Sequence, residues 1–71
     1  MNINQMIKNE NITIACQRIM KEEGYEFYRW DINPENRMEV ICEGRKYDKD
    51  DNVIDKTKIT ATAWLIKQYM Y

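Results

Sequence analysis

The sequence predicts an α+β domain: a small antiparallel sheet of two to three strands, flanked by an N-terminal and a C-terminal helix in the order α-β-β-(β)-α. Three observations carry this. Ile12, Ala15, Cys16 and Ile19 recur at i, i+3, i+4 and i+7, which is one face of a helix. Tyr25 to Ile32 is rich in aromatic residues, and an alternating run follows it after a turn signal. The C-terminal stretch then returns to a long apolar pattern. At 71 residues the chain is expected to be a single domain, 1–71.

The first helix is read over about residues 12–23. Asn9 or Asn11 can serve as its N-cap, and Gly24 suits the position just past its end. Ile3, Met6 and Ile7 share the helical spacing and predict a short preceding helix, with Asn9-Glu10-Asn11 as the break. Tyr25 to Asp31 reads as the first strand, because aromatic side chains pack well on a pleated surface. Asp31 to Asn36 is a turn in which Pro34 presets φ. Arg37 to Glu43 reads as the return strand, with Met38, Val40 and Cys42 alternating against Glu39, Ile41 and Glu43. Arg45, Lys46 and Tyr47 can extend it, Asp48 to Asn52 forms a polar turn, and Val53-Ile54 can add a short third strand. Lys56 to Tyr71 is read as a helix on the strength of Ile59, Ala63, Ile66 and Met70, capped by Asp55 or Thr57. Ile59 to Trp64 also fits an alternating strand. The helix is preferred because the apolar run is long and Lys67 and Gln68 suit its wet side.

Composition narrows function. With 11 basic and 12 acidic residues the formal charge is −1, unlike the clear basic excess of most proteins that live on DNA. The chain has no His and no Ser, which removes the commonest bases and nucleophiles. No apolar run is long enough to span a membrane, and the polar first ten residues carry no signal-peptide pattern, so a cytoplasmic protein is expected. In the cytosol Cys16 and Cys42 are expected as plain buried thiols. Asn, Ile, Lys and Tyr supply 29 residues, while Leu occurs once. Their codons are A/T-rich, which points to a low-GC bacterium or its phage. A domain this small buries a modest core, so a partner or a second copy of the chain can add stability.

No cofactor, metal or catalytic group is expected. Asp48, Asp50 and Asn52 alternate as in a calcium loop, but Val53 replaces the required Gly and Ile59 the bidentate Glu. Glu22-Glu23 lies on a wet helix end, and a short chain offers no cleft for a carboxylate pair. What remains is a binding surface. Alternation places Tyr25 and Phe27 on one side of the first strand and Tyr28 and Trp30 on the other, while two helices can cover only one sheet face. Tyr28 and Trp30, with Arg29 or Arg37 beside them, are the expected anchors on the open face. Asp48, Asp50, Asp51 and Asp55 against Lys49 leave a local charge of −3, an acidic patch able to meet a basic protein or a nucleoprotein groove.

The expected function is therefore a small non-enzymatic binding protein that docks on a larger host or phage protein and regulates or inhibits it. A phage or mobile-element anti-defence inhibitor is one such class. The alternative is a DNA-binding transcriptional regulator, since a helix followed by a hairpin resembles the last helix and wing of winged-helix domains. Arg18, Lys21, Arg29, Arg37, Arg45 and Lys46 would then meet phosphates. A third reading is a structural subunit of an obligate assembly.

Overall fold

The computed structural model describes residues 1–71. In chain order the elements are α1 (Ile3–Met6), α2 (Asn9–Glu22), β1 (Glu26–Ile32), β2 (Glu39–Tyr47), β3 (Val53–Thr62) and α3 (Ala63–Tyr69). The strands form one antiparallel sheet in the order β1-β2-β3. The helices lie on one face of it, and the α+β class expected from the sequence is what is found.

α2 is the anchor of the helical layer. Its buried residues are Ile12, Ala15, Cys16, Ile19 and Met20, the stripe set by the 3.6-residue period. It starts one residue earlier than an Asn9 cap and three earlier than an Asn11 cap would place it: Lys8 is the N-cap, and no side chain caps it. Its other end matches expectation. The Tyr25 N–H donates to the Met20 carbonyl at 2.8 Å and the Gly24 N–H to Lys21 at 3.1 Å, with Gly24 at φ 84°. That is a Schellman close, which needs the left-handed conformation that glycine adopts at little cost. α1 is the short preceding helix. The Gln5 side chain accepts from the Asn2 N–H at 2.7 Å, and the Ile3 N–H donates to the Arg37 carbonyl at 2.8 Å, which ties the N-terminus to the β1–β2 connection.

Val40, Cys42 and Gly44 of β2 face the helices and are buried, as the alternation predicts. Together with Ala61 and Ile66 they close the core around Ile3, Ile7 and the α2 stripe. At Gly44 the Met20 side chain of α2 and the Cβ of Tyr25 come close to the strand. A Cβ there would lie 2.5 Å from Met20 Sδ and 2.9 Å from Tyr25 Cβ. The thioether can swing away, but Tyr25 Cβ is fixed by its backbone.

Two expectations are corrected. The first concerns the C-terminal segment. β3 runs to Thr62, so the alternating reading of Ile59 onward holds and the long helix does not. Thr57, Ile59 and Ala61 alternate toward the helices, and pairing along all of β2 overrides the helical spacing. The helix that remains, α3, starts at Ala63. Its cap is Thr62, whose Oγ1 accepts from the Leu65 N–H at 3.2 Å, rather than Asp55 or Thr57. α3 packs beside α2, where Arg18 Nη1 donates to the Tyr69 carbonyl and the Tyr69 hydroxyl to Glu22.

The second correction concerns Trp30. Phe27 pairs with Gly44 and Arg29 with Glu43, so Tyr28 is an extra residue in β1, a β-bulge. One inserted residue reverses the alternation beyond it. Trp30 therefore pairs with Cys42 on the helix side, and its Nε1 donates to Thr13 Oγ1 of α2 at 2.8 Å. Tyr28 and Arg29 are left together on the open side.

Gly44→Ala should cost about 1–3 kcal/mol in urea unfolding, since an added methyl overpacks a tight helix–strand contact. Trp30→Ala should cost about 3 kcal/mol by the same measurement, the behaviour of a packed aromatic rather than a surface anchor.

Candidate docking surface

The uncovered sheet face is built by the second side of the same alternation. Arg29 and Asp31 come from β1, Ile41, Glu43 and Arg45 from β2, and Lys56, Lys58 and Thr60 from β3. Its centre is Glu43, with a side chain only 18% exposed. Glu43 Oε2 accepts from Arg29 Nε at 3.2 Å and Oε1 from Arg29 Nη2 at 3.5 Å, and Lys58 Nζ lies 3.7 Å from the same Oε1. Arg29 also approaches Asp31 at 3.7 Å. The Glu43 and Asp31 charges raise the Arg29 pKa above its usual value, with the Glu43 hydrogen bond the largest cause. Next to this cluster the Arg45 guanidinium lies 3.5 Å from the centroid of the Tyr28 ring. Lys56 pairs with Arg45 across the ladder. The result is a shallow groove of 280 Å³ lined by Arg29, Arg45, Lys56 and Lys58 around Glu43, with no apolar side chain in its walls. Four cations against the one carboxylate in its lining make the groove locally positive, although Asp31, 3.7 Å from Arg29, offsets part of that charge.

The β2–β3 turn is of opposite sign and carries a different task. Asp48 Oδ1 accepts from the Asp50 N–H at 2.8 Å and the Asn52 N–H at 3.0 Å, while the Asp48 N–H donates to the Asn52 carbonyl. Asp51 sits at φ 62°, a left-handed position that Asp tolerates better than most residues. A second bulge at Ile54 follows, since Lys46 pairs with Asp55 and Tyr47 with Val53. Asp55 accepts the Tyr25 hydroxyl at 2.7 Å, and Lys46 Nζ lies 4.4 Å from the Tyr25 ring. Asp48 and Asp55 thus hold the arm in shape. Asp50 and Asp51 are exposed at its tip.

The sequence-predicted residues divide accordingly. Tyr28 and Arg29 lie together on the open face because of the bulge, and Tyr28 is 46% exposed. Trp30 lies beneath the sheet. Arg37 is exposed in the β1–β2 connection and does not line the groove. Asp48 is committed to the turn. The sequence reading of the open face did not single out Arg45, Lys56 and Lys58. Their signal was the alternation of Lys56, Lys58 and Thr60 against Thr57, Ile59 and Ala61, hidden by reading that segment as a helix. Trp64 on α3 was also passed over, and it is 69% exposed.

No helix is long and apolar enough to cross a membrane. Comparison with protein-family models, curated proteins and solved structures finds no match.

Backbone N–H bonds from Asn52 and Asp50 hold the Asp48 carboxyl below its ordinary value of 3.8. Asp55 is lowered by the Tyr25 hydroxyl first and then by the Lys56 N–H. A depressed folded pKa stabilises the arm above the unfolded value, and that contribution is lost as pH falls through the folded value. The Asn52 and Asp50 amide resonances should therefore titrate with a midpoint below 3.8, and Asp48→Asn should abolish this step. A midpoint at or above that value would remove the assigned role of Asp48.

Proposed function

We propose that the chain is a non-enzymatic binding protein that docks on a larger protein through its open sheet face and thereby regulates or inhibits it. The observation that carries this reading is the Arg29–Arg45–Lys56–Lys58 groove around Glu43, set beside the Arg45–Tyr28 stack. Arg and Tyr are the residue types that most often dominate binding energy, and here they are already ordered against each other before any partner arrives. A partner that presents clustered Asp and Glu side chains to the groove would complement it.

The charge pattern favours a folded protein over nucleic acid. Glu26, Asp31 and Glu39 lie on the same face as the cations, and Asp50 and Asp51 lie at the tip of the arm. A phosphate backbone running along the face would meet these carboxylates, whereas a protein surface can match both signs. The winged-helix alternative also lacks support from the helices: α1 has 4 residues and α3 has 7, so only α2 is longer than two turns ahead of or behind the hairpin. A phage or mobile-element inhibitor of a host defence protein is the biological setting that best suits the size and the excess of Asn, Ile, Lys and Tyr, residues with A/T-rich codons.

The test is a tagged capture from nuclease-treated lysate of a low-GC host, run in parallel with three variants. A stoichiometric protein should be retained by the wild type and by Lys67→Glu on α3. Tyr28→Ala and Arg45→Glu should lose it, with affinities about tenfold or more weaker once the target is purified. Equal retention by all variants would overturn the assignment of this face. Salt-sensitive binding to duplex DNA by the wild type, lost in Arg45→Glu, would move the reading to the DNA-binding alternative.

A further inference from the structure

The core contains a pair of groups that the docking reading does not use. Cys16 is on α2 and Cys42 on the central strand β2, 26 positions apart in sequence. Both are fully buried, and their sulfurs lie 2.7 Å apart in one S–H···S contact. They are the chain's only cysteines, so each has a single intrachain thiol partner. They belong to a core of 11 buried apolar residues with no buried polar or charged residue in it, so no competing polar group is present there. No third metal-ligating side chain joins them, so the pair is not a metal site.

We propose that Cys16 and Cys42 are a redox-active dithiol that closes to an intrachain disulfide, stapling α2 to β2. The oxidant is a hydroperoxide or a low-molecular-weight disulfide. With hydrogen peroxide, one thiolate attacks a peroxide oxygen, becomes a sulfenic acid and releases hydroxide. The second sulfur attacks the sulfenic sulfur and displaces the oxygen as water. Two thiols and one peroxide give one disulfide and two waters. With a disulfide oxidant, the first attack forms a mixed disulfide and the second sulfur expels the remaining thiol.

Either sulfur can donate in this contact, and burial disfavours the thiolate at both, so each is the resolving partner of the other whichever is attacked first. Because both lie under α2, attack on an external oxidant requires α2 to lift transiently from the sheet. The reaction is then slow compared with that of an exposed thiol and leads to the internal partner once α2 returns.

The disulfide would cross-link the two elements that carry most of the core, so it would shift stability rather than alter the groove on the opposite face. The full chain is treated under native conditions with hydrogen peroxide or oxidised glutathione, then alkylated in denaturant and weighed. The expected product has lost about 2 Da, the two thiol hydrogens, and neither cysteine is alkylated. A non-reducing peptide map should join Cys16 to Cys42. The thermal midpoint should rise by roughly 10 °C and return on treatment with dithiothreitol, because the bond closes a long loop in the unfolded chain. Cys16→Ala should give no such product, and it should instead carry a glutathione adduct or an oxidised Cys42. Unchanged mass with both cysteines alkylated would overturn the proposal. Stable glutathione adducts or cross-linked dimers in the wild type would do the same, as would an oxidised form that melts no higher than the reduced one.

Discussion

The fold turns on how closely one helix can lie across one strand. α2 is the sole helix of more than two turns, and β2 is the only strand paired on both sides. Where they meet, the side chains are small or slender: Cys16 lies against Cys42, and Met20 against the bare backbone of Gly44. A helix of 14 residues thereby packs against β1 and β2 and alongside α3. That packing also explains why the chain holds together with a core of 11 buried apolar residues and no buried side-chain polar atom lacking a partner. A larger residue at Gly44 or Ala15 would tilt α2 away and loosen α3, which depends on α2 for its own packing.

Because α2 takes one face, the other face is left to chemistry. The bulge at Tyr28 decides which residues reach it. By adding one residue it turns Trp30 down to Thr13 and sends Tyr28 and Arg29 up together. The aromatic content of β1 is thereby divided: Phe27 and Trp30 close the core edge, and Tyr28 supports Arg45. Three of the groove's cations are held by neighbours of two kinds: Arg29 and Lys58 by a largely shielded carboxylate, and Arg45 by an aromatic ring. Both restrict long side chains that would otherwise sample many rotamers, which lowers the entropy lost on binding.

The molecule is also polar along its length. The face is positive around Glu43, and the tip beyond Asp48 is negative. Such a separation orients an approaching protein better than a uniform charge of the same size would, because it attracts one end and repels the other. The thiol pair lies on the other side of β2 from this surface.

Much of this was legible in the chain itself. The α2 stripe, the Gly24 stop, the turn at Pro34 and the acidic turn at Asp48 are set by neighbours within a few residues, and local chemistry suffices to place them. So does the absence of His and Ser, which bounds the available reactions. What the sequence could not decide is non-local. Ile59 to Thr62 fits both periods, and only hydrogen bonding to Glu39–Cys42 makes it a strand. The orientation of Trp30 depends on a bulge that shifts register against Gly44 and Glu43 without a proline or glycine in β1 to announce it. The grouping of Arg29, Arg45, Lys56 and Lys58, and the meeting of Cys16 with Cys42, follow from those pairings. Sequence periodicity fixes which residues share a face of one element. Which faces of different elements meet is set by strand register and helix docking, and those belong to the tertiary structure.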